Sequence, residues 1–552
     1  MPTLTIDNQT IAVPDGTNVL EAAKQLGIHI PHFCYHEALG AVGACRLCAM
    51  SFLEGPVKGV QMACMVEAKE GMVVSTLDPE SMRQRAHVIE WLMMNHPHDC
   101  PVCDEGGECQ LQDLTIAGGH SIRRYRGPKR TWVNQQLGPF VEQEMNRCIQ
   151  CYRCLRTYRD YCGGDDFGVM GARNRLFFGR FRDGRLESPF SGNLVDVCPT
   201  GVFTDKTYRF KSRLWDLEEA PSICPHCSLG CATIPGGRYR ELQRVRAGIN
   251  RSVNGFFICD RGRFGSVYGN HPQRPRIPQV AGHDTGWDEA IARARNLIET
   301  AVAEHGSASV ALLGSPRATL EANFLLRQWA RQLGTPLLVF DSHPGRDRAA
   351  RVVAARLGTR ARSLEEVRHS DLIVVVGADP LAEGPLLALA LRQAVRASGK
   401  VLVLDPRPVA LPCAFERLPL AAEKLPAALA TLTGGETNAF TDAESAFLEQ
   451  TGQLLAQAKR PILVGAVDLL GEAGVHALLD ATEALTTPER PCGGVLLLTG
   501  PNSFGGALLA GDGPDFDQLL DRILDGRIRA LVCLEADPCG DSPDPGRVEA
   551  AL

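Results

Sequence analysis

This sequence has no apolar run near the length of a membrane span. Its longest runs, such as Leu-Ile-Val-Val-Val at 372–376, fall well short of the roughly 20 residues a spanning helix needs and read as buried strands. A basic excess is also missing. The chain has 58 Lys and Arg against 64 Asp and Glu, a net charge of −6, which argues against a nucleic-acid binder. The N-terminus shows no basic stretch leading into an apolar one, so no secretory signal is visible and a cytoplasmic protein is expected. No strand is followed by a complete G-x-G-x-x-G, so no dinucleotide site is assigned. Internal repeats and long low-complexity tracts are absent too. At 552 residues the chain is too long for one core, and three to five domains are expected.

Cysteine, by contrast, is abundant and uneven. Of twenty cysteines, only Cys413, Cys492, Cys533 and Cys539 lie beyond Cys259. In a large chain without a secretion signal, clustered cysteines more often ligate metal than form disulfides. The front half is therefore read as metal-rich and the back half as metal-poor.

The front begins with strand-like text at Leu4–Ile6 and Thr10–Val13 around an Asp7-Asn8 turn. A helix over 17–26 follows, with a Thr17 cap and Gly27 as its stop. Residues 81–95 carry Met82, Ala86, Ile89 and Met93 at helical spacing and stop at His96-Pro97. Residues 119–215 have weak periodicity and read as loops around a prosthetic group. From about residue 307, short apolar runs near 310–314, 372–377, 401–405, 462–465 and 495–500 alternate with helical text. That alternation implies a parallel sheet covered on both faces. Near the end, 528–534 reads as a buried strand, 535–545 as a turn-rich loop and 546–552 as the start of a helix. The back domain is accordingly expected to be incomplete, with an apolar edge uncovered near 528–552.

Four ligand constellations stand out. The first is Cys34, Cys45, Cys48 and Cys64, three ligands in one loop and a fourth later, the logic of a plant-type 2Fe–2S site with a longer first gap. Gly40, Gly43 and Ala44 let the backbone wrap close to the sulfurs. Zinc prefers paired C-x-x-C units and fits poorly here. The second is His96, Cys100, Cys103 and Cys109, where three cysteines leave one position for a histidine on a 4Fe–4S cluster. A lone His96 would more simply cap a helix end, and His98 is a competitor with less reach. The third is Cys148, Cys151 and Cys154 with the remote Cys198-Pro199, a ferredoxin-type 4Fe–4S set. A two-cluster ferredoxin would place another cysteine where Tyr158 stands. Cys162 fits no ligand slot and reads as structural. The fourth is Cys224, Cys227, Cys231 and Cys259, again four thiolates for a 4Fe–4S cluster. Zinc rivals this set alone, but not four such sets in one chain.

In this order, the constellations resemble the large iron–sulfur subunit of respiratory complex I, the NADH:quinone oxidoreductase. Gly106–Asp113, Ser191–Gly201 and Cys259–Gly265 strengthen the likeness, which is dense to about residue 275. Residues 276–552 resemble a molybdopterin-oxidoreductase domain more loosely. The resemblance implies a multidomain α+β and α/β fold. A 2Fe–2S ferredoxin-type β-grasp domain would occupy 1–78 and a His/Cys-ligated 4Fe–4S segment 79–118. A 4Fe–4S ferredoxin-like domain would follow at 119–217, a 4Fe–4S domain of molybdopterin-oxidoreductase type at 218–275, and an α/β domain with a mostly parallel sheet at 276–552. It further implies one 2Fe–2S and three 4Fe–4S clusters, no molybdopterin and no catalytic residue on this chain. Electrons would come from an NADH/FMN-binding partner and leave towards quinone, with the Cys224 cluster a side site. Other peripheral-arm subunits would be partners. Membrane contact, at the cytoplasmic face of a bacterial inner membrane, would be made only through the complex, and no nucleic acid is implied. A neutral histidine ligand would raise the second cluster's potential. Arg147, Arg153, Arg156 and Arg159 would either offset the third cluster's charge or be solvated or paired with Asp160, Asp165 and Asp166.

A formate dehydrogenase or hydrogenase subunit is the main rival. A molybdenum-dependent dehydrogenase would usually carry a second ferredoxin cluster, a Lys where Arg261 lies and a metal-ligand string in the back half, and none of these is seen. A zinc scaffold is the bland alternative.

Overall fold

Residues 1–435 and 439–552 are described by a computed structural model of the chain. They group into two units. One contains Met1–Pro221 with Ile234–Ala247 and Phe256–Phe264, and the other contains Ser222–Thr233, Gly248–Gly255 and Gly265–Leu552.

The first unit opens with β1 (Thr3–Ile6) and β2 (Gln9–Ala12), paired antiparallel. Asp7 and Asn8 between them have φ of 46° and 65°. Two successive left-handed residues are what a two-residue hairpin demands, and Asp and Asn tolerate them best after Gly. With β3 (Ala49–Glu54), β4 (Gly59–Met62) and β5 (Met72–Ser75), the sheet runs β2-β1-β5-β3-β4, and β1 pairs parallel to β5. Helix α1 (Val19–Gln25) packs Val19, Leu20, Ala22 and Ala23 into a core with Leu4, Ile6, Met50, Phe52 and Val74. This mixed sheet with one packed helix is the expected β-grasp arrangement. The cap of α1 is Asn18 rather than Thr17: its side chain accepts from the Glu21 amide at 2.9 Å.

Helix α2 (Pro79–Asn95) starts earlier than its periodicity suggests, because Asp78 caps it and Pro79 fits the first turn. Its buried face is Ser81, Arg85, Val88, Ile89 and Met93, while Met82 is exposed. The stripe differs from the one that apolar spacing predicts because a charged residue belongs to it. Arg85 is buried by donating to the carbonyls of Ala49 (2.8 Å) and Thr76 (2.5 Å). Beyond α3 (Gln110–Ala117), regular structure is sparse until residue 217. It is mainly the short pairs Val141–Gln143 with Phe203–Asp205 and Phe167–Met170 with Phe177–Arg180. Residues here are held by side-chain bonds, such as the Tyr158 hydroxyl to Asp166 at 2.6 Å. Cys162 is buried.

The second unit carries two parallel sheets rather than one. The larger runs Glu416–Leu418, Lys400–Leu404, Leu372–Val376, Pro461–Ala466 and Gly493–Leu497, and all five residues of its central strand are buried. Continuous Val, Leu and Ile suit a strand covered on both faces, with burial contributing about 1.5–3 kcal/mol per side chain. The smaller runs Leu338–Val339, Val310–Leu313 and Ala530–Cys533. The 528–534 text therefore becomes a partly exposed edge strand, not a buried one. Helix Pro545–Ala551 buries Val548 against Phe516 and Leu519, and Leu552 is exposed. Among the described residues, no helix is long and apolar enough to cross a membrane.

Candidate metal centres

Tight chain reversal is the first requirement for wrapping four thiols around a small inorganic group. Gly40, Gly43 and Arg46 in the first loop have φ of 71°, 68° and 58°. Cys45, Cys48 and Cys64 are buried with Cys34, and the Phe33 amide donates to Cys45 Sγ at 3.4 Å. Mutual hydrogen bonds hold Cys34 and Cys48 low and Cys45 and Cys64 high. The structure thus brings all four predicted thiols of this set together.

In the second set, His96, Cys100, Cys103 and Cys109 line one cavity of about 330 Å³. His96 follows α2 directly, and Cys109 precedes α3, so two helix ends fix the ligands. The Nδ1 atom of His96 is buried without a hydrogen-bond partner. Burial also pushes this imidazole down to about 4, which keeps it neutral at pH 7. A bare, neutral, buried ring nitrogen on a residue that shares its cavity with three cysteines is the donor a metal takes. His98 lines the same cavity but is exposed. The wall is close-fitting: a Cβ on Gly201 would meet Cys103 Sγ at 2.6 Å.

The third set sits on the loop 148–154, where Gln150 and Tyr152 take φ of 56° and 65°. The Gln150 amide donates to Cys148 Sγ at 3.3 Å. Amides of Thr200, Val202 and Phe203 point at Cys198, and the four thiols lie within electrostatic range of one another. Burial pushes all four up, Cys151 to about 12. Four neutral buried thiols become four thiolates only when cations replace the protons. This donor set fits a 4Fe–4S cluster.

In the fourth set, Cys224, Cys227 and Cys231 are buried in the second unit, and the Cys224 amide donates to the Cys231 carbonyl at 2.9 Å. Cys259 is buried in the first unit and accepts from the Gly262 amide at 3.4 Å. Among the described residues, no three His, Cys, Asp or Glu side chains are arranged to hold a single metal ion. The fit to larger groups rests on the cavity, the bare imidazole and the buried thiols.

The arginines divide by environment. Arg147, beside Cys148, pairs with Asp99, beside Cys100, at 2.7 Å, so one ion pair with a buried arginine and a half-buried aspartate links the second and third sets. Asp99 is not among the three aspartates that lie nearest the arginines in sequence. Of those three, Asp166 pairs with Arg180 at 2.7 Å. Arg156 donates to the carbonyls of Leu39 and Gly40 in the first loop, and Arg159 is exposed. Arg153 is buried and faces thiols.

Family models match nearly every part of the chain. Residues 1–79 match a 2Fe-2S iron-sulfur cluster binding domain and 85–124 the NADH-ubiquinone oxidoreductase-G iron-sulfur binding region. Residues 138–204 match the ferredoxin-like domain of NADH-quinone oxidoreductase subunit 3. Residues 217–271 match a molybdopterin oxidoreductase Fe4S4 domain, and 280–550 match molybdopterin oxidoreductase. The G subunit of the Pseudomonas putida NADH-quinone oxidoreductase is 41% identical over 597 residues, covering 100% of this chain. The chain belongs to the family of NADH-quinone oxidoreductase G subunits. The G subunit of Escherichia coli K12 is 38% identical, covering 97% of this chain, and that of Salmonella typhimurium 46% over 72% of it. This chain spans 64% of the Pseudomonas relative's length, 63% of the Escherichia one's and 44% of the Salmonella one's. One solved structure, an NAD+-reducing [NiFe]-hydrogenase, is 29% identical with a TM-score of 0.35 over 39% of this chain and 91% of its own. Family membership brings iron–sulfur domains of both the 2Fe–2S and 4Fe–4S kinds.

Proposed function

We propose that this chain is an electron relay within an NADH:quinone oxidoreductase, passing single electrons between clusters towards quinone. The observation that carries this reading is a single apolar cluster in the first unit. Cys34 and Cys45 of the first set, Cys109 of the second and Cys151 of the third pack there with Phe33, Leu47, Ile89 and Leu111. Electron transfer falls steeply with separation, and centres whose ligands share one dry, close-packed cluster are near neighbours. One 2Fe–2S cluster would be held by Cys34, Cys45, Cys48 and Cys64. One 4Fe–4S cluster each would be held by His96, Cys100, Cys103 and Cys109, by Cys148, Cys151, Cys154 and Cys198, and by Cys224, Cys227, Cys231 and Cys259. The domains 1–78, 79–118, 119–217 and 218–275 would carry one cluster each, with 276–552 as an α/β appendage. The appendage holds no molybdopterin in this reading, because Arg261 stands where a Lys is needed and no metal-ligand string is seen.

An NADH/FMN-binding subunit would supply the electrons, and the other peripheral-arm subunits would carry the chain at the cytoplasmic face of a bacterial membrane. The whole complex would couple transfer to ion translocation. The test is His96→Ala in the assembled complex. NADH should still reduce the 2Fe–2S and Cys148 clusters while quinone reduction stops. Undiminished quinone reduction would remove the second set from the path.

A further inference from the structure

Arg153 is buried, 8% exposed, yet it has no carboxylate partner within hydrogen-bond reach among the described residues. Its Nη1 donates to the Phe33 carbonyl at 3.5 Å and to Gln110 Oε1 at 3.0 Å, and its Nε is buried without a partner. Phe33 precedes Cys34 of the first set, Gln110 follows Cys109 of the second, and Arg153 itself precedes Cys154 of the third. Arg153 also lines a cavity of about 170 Å³ with Cys198 and the carboxylates Glu105, Glu108 and Asp196, the last two of which are ion-paired to Arg244 and Arg263. The groups that act on it electrostatically are the thiols of Cys151, Cys198, Cys34 and Cys154. A guanidinium stays protonated, and burying one without a counter-ion is costly. Arg147, by comparison, has Asp99. The thiolates that a bound cluster requires would supply the missing counter-charge beside Arg153.

We propose that Arg153 is a positioning residue whose fixed positive charge sets the reduction potentials of the first and third clusters together. This rests on the relay reading. Each cluster gains one negative charge on reduction, and a nearby buried cation stabilises the reduced form of both. Because one charge serves two centres, its removal moves them in the same direction and largely preserves the gap between them. The neutral Gln110 leaves this field unquenched, which a carboxylate at that position would not.

The test is an EPR-monitored redox titration of the full, cluster-loaded chain in three forms: wild type, Arg153→Gln and Arg153→Lys. In the Gln variant, the midpoints of the 2Fe–2S signal and of the Cys148-set signal should both shift to lower potential with line shapes retained. The Lys variant, which keeps the charge but not the fork, should return most of both shifts. Unmoved midpoints, a shift at only one centre, or a Lys variant as shifted as Gln would each overturn the inference. Loss of both clusters in both variants would also overturn it, making Arg153 a structural residue. Absence of the two signals in the wild type would instead sink the relay reading itself.

Discussion

Two histidines close together in sequence, His96 and His98, face the same cavity, but only His96 offers a buried ring nitrogen with no partner. His96→Ala should abolish the EPR signal of the second cluster, whereas His98→Ala should leave it in place; the reverse pattern would reassign the ligand. A second expectation concerns Asp341, whose carboxyl burial pushes up to about 7. Its folded-state pKa lies above its unfolded one. The stability it contributes as a neutral acid is complete below about pH 4 and is lost as pH rises through 7, at roughly 1.4 kcal/mol for each pH interval of one between the two values. Asp341→Asn keeps an acceptor for the His343 amide, which Asp341 now binds at 2.9 Å. The variant should melt higher than wild type at pH 8.5 and alongside it only near pH 3.5, where the wild-type carboxyl is largely protonated in both the folded and the unfolded state. Equal melting at both values would refute the assignment. The candidate ligand cysteines stand out in the sequence because their spacing restricts how they can group. The partners of the arginines do not, because Arg147–Asp99 and Arg153–Phe33 join residues 48 and 120 positions apart.

At the level of elements, periodicity located most helices and strands but not their ends or buried faces. Capping decided the starts: Asn18 and Asp78 accept from amides of the first turns that follow them. Asp78→Ala should lower the thermal midpoint, because it removes both the cap and the acceptor to which Ser51 Oγ donates at 2.7 Å. Thermal unfolding of the single variant against wild type measures this, and an unchanged midpoint would show that the cap is dispensable. The turn at Asp7-Asn8 was readable because few residue pairs accept two left-handed conformations. The split of the back half into two sheets was not, since Val310–Leu313 pairs with the far-distant Ala530–Cys533. Local apolar runs announce strands but carry no pairing order. In the central strand, Val374→Ala should destabilise the back domain by roughly 1–3 kcal/mol through the cavity it leaves, read by differential scanning calorimetry; no loss would mean that the site collapses freely.

Across the whole molecule, four candidate ligand sets, a thiol-bearing apolar cluster and a family relationship support the proposed electron relay. The near-balanced charge supplies no basic excess to draw nucleic acid. The measurement closest to the central claim is metal and sulfide analysis, joined to EPR, on the anaerobically purified full chain. The account predicts about fourteen irons and as many sulfides per chain, with one 2Fe–2S and three 4Fe–4S signals on reduction. Zinc in place of iron at any set, or stoichiometric molybdenum or tungsten in the back half, would contradict it.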